Sequence, residues 1–222
     1  EIMAEDQELD SSELGTHDYW DKTYSLEINN FKHNGDVGEV WFGEDSALRI
    51  VKWLTSKPDL VNGKDKIIDL GCGNGMMLVE LYEEGFTELT GVDYSQNAIN
   101  LASQVLKDKN LSHITLRKFD ILRNDMSDFK SSFKIAHDKG TYDAVSLNPD
   151  KPKEKREKYI DNVCELLTDD GMLIITSCNW TENELVNHFK THFELLYSIP
   201  TPSFKFAGQT GNLISSLVLK KR

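Results

Sequence analysis

From about residue 64 the chain switches repeatedly between two hydrophobic periods, and this alternation narrows the available folds more than any other feature. Short apolar runs suited to buried strands occur at 66–70 (KIIDL), 88–93 (ELTGVD), 113–119 (HITLRKF), 133–138 (FKIAHD) and 172–178 (MLIITSC). Two more follow at 193–199 (FELLYSI) and 212–220 (NLISSLVLK). Between them apolar residues recur at helical spacing. Met76, Met77, Leu78, Leu81 and Tyr82 lead to Gly85, a helix stop. Ser95 stands as the cap of a stripe formed by Ala98, Ile99, Ala102, Val105 and Leu106. Tyr159, Ile160, Val163, Leu166 and Leu167 make another stripe, and Thr181 with Glu184 forms a capping box ahead of Leu185, Val186 and Phe189. Strands alternating with helices predict an α/β fold, a doubly wound, Rossmann-like sheet of seven mostly parallel strands. Only the turn-rich segment 200–211 separates the last two strands, so the final strand is expected to run antiparallel.

Ahead of the sheet lies a helical extension, residues 11–62. Thr16 is placed to cap a helix bearing Trp20, Tyr24 and Phe31, GDVGEVWFGEDS (35–46) is a glycine-punctuated loop, and ALRIVKWL (47–54) is a helix ended by Pro58. The expected division is an acidic tail or expression remnant over 1–10, disordered; the extension over 11–62, a lid for cofactor and substrate; and the sheet domain over 63–222. Charged residues make up 28% of the 222 residues, and no apolar run approaches the ~20 needed to span a membrane. Residues 1–13 show neither a signal-peptide apolar region nor an Arg-rich transit pattern. Cys72, Cys164 and Cys178 have no metal-ligand spacing, which predicts reduced thiols in the cytoplasm or nucleus and no metal site. Lysines and arginines against acids give 25 − 37 = −12, a balance that disfavours nucleic acid and favours a basic protein partner. The KPKEKREK run (151–158) interleaves Glu154 and Glu157 with its lysines and is read as the solvated face of a helix.

The first strand ends in Asp69 and runs into Gly71, Cys72, Gly73, Asn74 and Gly75 before the first helix of the sheet. Glycine-rich turns at this junction bind nucleotides outside the carboxyl ends of the strands. The dinucleotide fingerprint G-x-G-x-x-G fails, because its sixth position is Met76; a P-loop fails for want of G-K-[ST]. A pyrophosphate beside Asp69 would meet like charge, whereas a ligand with a cationic end would not. S-adenosylmethionine, with a sulfonium and an ammonium, fits that requirement. Asp93, about 20 residues past the glycines and followed by Tyr94, is placed to take both ribose hydroxyls. Asp120, at the third strand end, is placed to accept from an adenine amino group, with Ile121 as an apolar wall.

DLGCGNG, GVDYS and FDI resemble motifs of the seven-strand S-adenosylmethionine-dependent methyltransferases over about residues 64–220. The strings LGTHDYWDKTYSLEINNF, GDVGEVWFGE, DKGTYDAVSLNPD and TSCNWT are similar, more narrowly, to the elongation factor 1-alpha lysine methyltransferases. That resemblance implies transfer of up to three methyl groups to a lysine ε-amine of the translation factor; a monomer without membrane attachment is the accompanying expectation. Asp138-Lys139-Gly140-Thr141 stands where base- and amide-methylating enzymes carry N/D-P-P-Y/F, which argues against those substrates. Asp138 is the candidate for orienting the amine, against a helix cap or a cofactor contact. Trp41, Phe42, Asn179 and Trp180 are candidate channel or docking residues, against ordinary core packing. A small-molecule methyltransferase and a catalytically silent cofactor-binding adaptor are the competing functions.

Overall fold

The computed structural model describes residues 8–206 and 209–222. A short turn, Glu13–Gly15, and two helices, α1 (His17–Asn34) and α2 (Glu44–Thr55), precede the sheet. The chain then alternates through β1 (Ile67–Leu70), α3 (Met76–Glu83), β2 (Leu89–Asp93), α4 (Gln96–Asp108), β3 (Thr115–Lys118) and β4 (Phe133–Lys139). It continues through α5 (Thr141–Ser146), α6 (Pro152–Leu166), β5 (Leu167–Ser177), α7 (Glu182–Phe189) and β6 (Phe193–Ser198). A hairpin, β7 (Ser203–Phe206) and β8 (Gln209–Asn212), leads into β9 (Ser215–Lys221).

The seven-stranded sheet has the order β3-β2-β1-β4-β5-β9-β6. Pairings among β1 to β5 are parallel, while β9 lies antiparallel to both β5 and β6, as expected of a last strand reached without a helical crossover. The chain winds outward from β1 to β3 and then returns to β4 on the other side of β1. The carboxyl ends of β1 and β4 therefore form the switch point where such sheets bind ligands.

Alternate residues of the central strands feed two cores. Ile68, Leu70, Ala136, Leu173 and Ile175 face Tyr159, Val163 and Phe189 on one side. Ile67, Ile135 and Ile174 face Leu78 and Leu81, together with Ile50, Val51 and Leu54 of α2, on the other. Thus α2 completes the cover of one sheet face, and the boundary expected at 62/63 is not a seam in the packing. Helix α1 docks on α4: Asp21 accepts from the Ser95 hydroxyl at 2.7 Å, and its carbonyl accepts from Asn97 at 3.1 Å.

Four details differ from expectation. Residues 1–7 of the expected tail lie outside the described residues, but Glu8 forms a two-bond ion pair with Arg156 and Leu9 packs on the main core. Arg156 is itself buried, 5.2 Å from the Trp180 ring, so the 151–158 run is only partly a solvated face. Strand β5 starts at Leu167, ahead of the predicted 172. Helix α5 and the β7–β8 hairpin carried no recognised signal, α5 because its six residues are too short to show a period.

Ser95 is fully buried, accepts from Ala98 N as the cap of α4, and donates to Asp21. Ser95→Ala is expected to lower stability by ~1–2 kcal/mol in chemical denaturation, more than Thr16→Ala, whose capping hydroxyl is solvent-accessible.

Candidate active site

The glycine loop sits at the switch point with all three glycines left-handed: φ is +68° at Gly71, +52° at Gly73 and +77° at Gly75. Space is as restrictive as torsion. A Cβ on Gly71 would lie 2.1 Å from Thr141 Oγ1, and one on Gly73 would lie 2.6 Å from Tyr24 Oη. Thr141 also donates to the Leu70 carbonyl at 2.7 Å, tying the start of α5 to the end of β1. Asn74 Oδ1 accepts from Met76 N at the start of α3, and its amide donates to Val37 O at 3.0 Å, tethering the extension's loop. Cys72 is buried behind this loop, and burial pushes its thiol well above the ordinary range.

Around the loop is a cavity of about 260 Å³. Its floor is Asp69, the glycine loop and Lys139–Thr141; one end is Asp93, Tyr94 and Phe119–Leu122; the far wall is Asp143, Cys178 and Asn179. The roof comes from the extension: Leu14, Trp20, Tyr24 and Val40–Phe42. Trp20 and Trp41 meet edge to face at 4.9 Å. Lys139 Nζ donates to Trp41 O at 2.6 Å, and the Phe42 ring covers Gly140.

The three strand-end acids differ in setting. Asp69 Oδ1 lies 2.7 Å from His137 Nδ1 on the neighbouring strand, and both side chains are buried. Asp93 is also buried; its two oxygens accept from Gly73 N at 3.1 Å and Ser95 N at 2.9 Å. Burial pushes its carboxyl up to about 6, against the pull of those two N–H groups. Each oxygen accepts one of these bonds, and Asp93 is among the residues lining the cavity. Asp120 is exposed and accepts from Leu122 N at 2.9 Å, with buried Ile121 beside it.

Two candidates stand apart from the cavity lining. Asp138 is fully buried, and its carboxylate accepts from Thr141 N and Tyr142 N, each at 2.9 Å, and from the Tyr159 hydroxyl. It thereby takes up the first two N–H groups of α5, whose N-cap residue is Gly140, and burial pushes the carboxyl up to about 7. The amine-orienting role is therefore not what its geometry provides; the helix-cap alternative is. Trp180 is core: its indole N–H donates to Ser146 Oγ at 3.0 Å beneath Arg156. Trp41, Phe42 and Asn179 do line the cavity. Residues not singled out from sequence are Trp20, Tyr24, Lys139, Asp143 and Cys178. Asp143 accepts from Ser177 Oγ at 2.5 Å and Cys178 N at 2.8 Å, pinning the turn after β5. The aromatic spacing of Trp20 and Tyr24 on α1 was the available signal; nothing local marks Asp143.

A family model described as a methyltransferase domain matches residues 62–213. EEF1A lysine methyltransferase 2 of Homo sapiens is 44% identical over 95% of this chain and 87% of its own length. Protein-lysine N-methyltransferase EFM4 of Saccharomyces cerevisiae is 35% identical over 97% of each. The chain belongs to the methyltransferase-domain family, in the branch of EEF1A lysine methyltransferase 2 and EFM4. Among solved structures, N-methyltransferase NodS of Bradyrhizobium japonicum, in complex with S-adenosyl-L-homocysteine, gives a TM-score of 0.64 over 91% of this chain and 98% of its own at 16% identity. The [4+2]-cyclase SpnF gives 0.67 over 96% and 97% at 14%. Those two likenesses are of fold; methyl transfer rests on the family.

This methyltransferase's residues fit S-adenosylmethionine. Asp93 offers paired acceptors for a diol, Phe119, Ile121 and Val92 offer apolar walls for a base, and the acidic floor suits a cationic amino-acid portion. The left-handed glycines leave the backbone bare where a ligand must approach.

Two pH slopes of opposite sign follow from Asp93. Its folded value, about 6, lies above the ordinary 3.8, so its contribution to apo stability is full below 3.8 and is lost as pH rises through about 6. Ribose hydroxyls instead require the ionised form. Calorimetry should therefore show S-adenosylhomocysteine affinity dropping about tenfold per unit below pH 6, a slope absent in Asp93→Asn. Separately, Tyr159→Phe should lower stability by ~1–3 kcal/mol through the Asp138 cap while leaving cofactor affinity within about threefold, read by thermal melts and calorimetry.

Proposed function

We propose that this protein transfers methyl groups from S-adenosylmethionine to a lysine ε-amine of elongation factor 1-alpha. The observation that carries the reading is the aromatic roof. Trp20, Trp41 and Phe42 come from the extension, outside the domain match at 62–213 but within the 95–97% of the chain shared with the lysine methyltransferases. The floor and end walls hold the cofactor; the roof and the Cys178–Asn179 turn face what remains of the cleft.

When bound, the cofactor supplies a methyl group on a good leaving group. The chain's task is then alignment and dehydration. A free lysine has a pKa of ~10.4 and is a nucleophile only when neutral. Entry into a channel walled by Trp20, Trp41 and Phe42 strips water from the stem and favours loss of the proton to solvent. Because Asp138 is engaged as a cap, no dedicated base is assigned. Asn179, held by the Asp143-pinned turn, is placed to accept from the incoming amine and orient its lone pair. Exposed Glu39 and Glu44, beside the roof, suit basic residues flanking the target lysine, in keeping with the chain's −12 balance. A cytoplasmic or nuclear setting, action as a single chain, and a protein rather than nucleic-acid or membrane partner belong to the same proposal. The free thiols and the acidic balance support it.

Incubation with labelled S-adenosylmethionine and unmethylated lysate should place label on one protein band of elongation factor 1-alpha size, with the lysine mapped by mass spectrometry. Solvent-extractable label would favour a small-molecule acceptor, and no transfer would favour an adaptor. Trp41→Ala should lower transfer at least ~10-fold while S-adenosylhomocysteine affinity stays within about threefold, because the tether from Lys139 is to the Trp41 backbone. A strongly depressed melting temperature with normal turnover per folded molecule would instead make Trp41 a packing residue.

A further inference from the structure

The cleft is acidic nearly all round, with Asp69, Asp93, Asp120 and Asp143 among its walls. Among the described lining residues, Lys139 is the only one with a cationic side chain. Its position is set by the sheet. Asp138 pairs with Leu70, so Lys139 comes level with Gly71, the first residue of the glycine loop. Strand alternation puts its side chain on the face that carries His137 and, across the ladder, Asp69.

A lysine ammonium has three N–H donors. One is engaged, by the Trp41 carbonyl at 2.6 Å, and the Phe42 ring centre lies 5.9 Å away. Burial lowers the pKa of the group, while Asp69 and Asp138 oppose that shift. A mostly buried ammonium whose one close hydrogen-bond partner is a neutral carbonyl is incompletely compensated, and an anion delivered to the floor of the cleft would complete it. The expected cofactor carries two cationic groups and a single anionic one, its α-carboxylate.

We propose that Lys139 binds the α-carboxylate of the cofactor's methionine portion with its remaining N–H groups while it still holds the Trp41 carbonyl. The inference rests on the cofactor assignment made above. It also gives the roof a direct link to cofactor occupancy, since one ammonium then bridges the ligand and the loop bearing Trp41 and Phe42.

The test removes each partner in turn. Titration calorimetry would compare S-adenosylhomocysteine with its decarboxylated counterpart, identical except for the missing carboxylate, on wild-type protein and on Lys139→Met, Lys139→Gln and Lys139→Arg. Wild-type protein should prefer the carboxylate-bearing ligand by about 10–100-fold, and Lys139→Arg should retain most of that preference. In Lys139→Met the preference should collapse to within about threefold, with the decarboxylated ligand bound nearly as well as by wild type; Lys139→Gln provides the same comparison if the methionine variant does not fold. Equal weakening of both ligands would overturn the proposal and leave Lys139 as a latch on the Trp41 loop. An unchanged preference in the neutral variants would overturn it in favour of backbone N–H groups of the glycine loop. Failure of wild-type protein to bind either ligand would overturn the cofactor assignment itself.

Discussion

The structure depends most on the close approach of two strand ends. Where β1 passes into the glycine loop, Gly71 has no room for a methyl group because Thr141 Oγ1 lies 2.1 Å from where it would be. Thr141 in turn holds the Leu70 carbonyl and stands at the head of α5, whose first turn is capped by Asp138. Bare backbone at β1 and a buried carboxylate at β4 therefore form one unit. That unit leaves the carboxyl edge of the sheet open at the switch point and lines it with main chain rather than side chain.

This arrangement divides the acids by burial. Asp138 lies apart from the cavity lining and accepts from two backbone N–H groups and a tyrosine hydroxyl. Asp143 does the same for the turn after β5 while still facing the cleft. Asp93 does both: it braces Gly73 and Ser95 and is among the residues lining the cavity. A bracing carboxylate needs no special exposure and a ligand-binding one needs only one open edge, so strand-end position alone does not separate the two. In this acidic setting Lys139 stands out by its sign of charge.

The extension matters because it roofs a cleft that the sheet domain alone would leave open. It is attached at both sides of the site, through Asn74 to Val37 and through Lys139 to Trp41, and it rests on α4 through Asp21 and Ser95. Apolar walls on such a roof exclude water from a reacting amine, and every charge inside then acts in a lower dielectric. The sheet alone does not fix a substrate, so features outside it must distinguish a lysine acceptor.

The amino-acid sequence by itself determined the layer order, the existence of all seven strands of the main sheet, the caps at Thr16, Ser95 and Thr181, and the glycine loop, but not the early start of β5. Those are local properties: periodicity, capping side chains and tolerance of positive φ are set within a few residues. Helix α5 is too short to register a period, and α2 looked like part of a separate extension because nothing local records that Ile50 and Leu54 cover the same face as Ile135 and Ile174. The site divided along the same line. Asp69, Asp93 and the three glycines draw attention by their spacing, whereas the contacts of Asp138, Trp180, Asp143 and Lys139 are visible only in three dimensions. Asp138 meets Thr141 N and Tyr142 N within four residues, but the partners Tyr159, Ser146, Ser177 and Trp41 lie 21 to 98 residues away. Whether a carboxylate caps a helix or faces a ligand depends on which groups packing brings to it, and packing is a property of the whole chain.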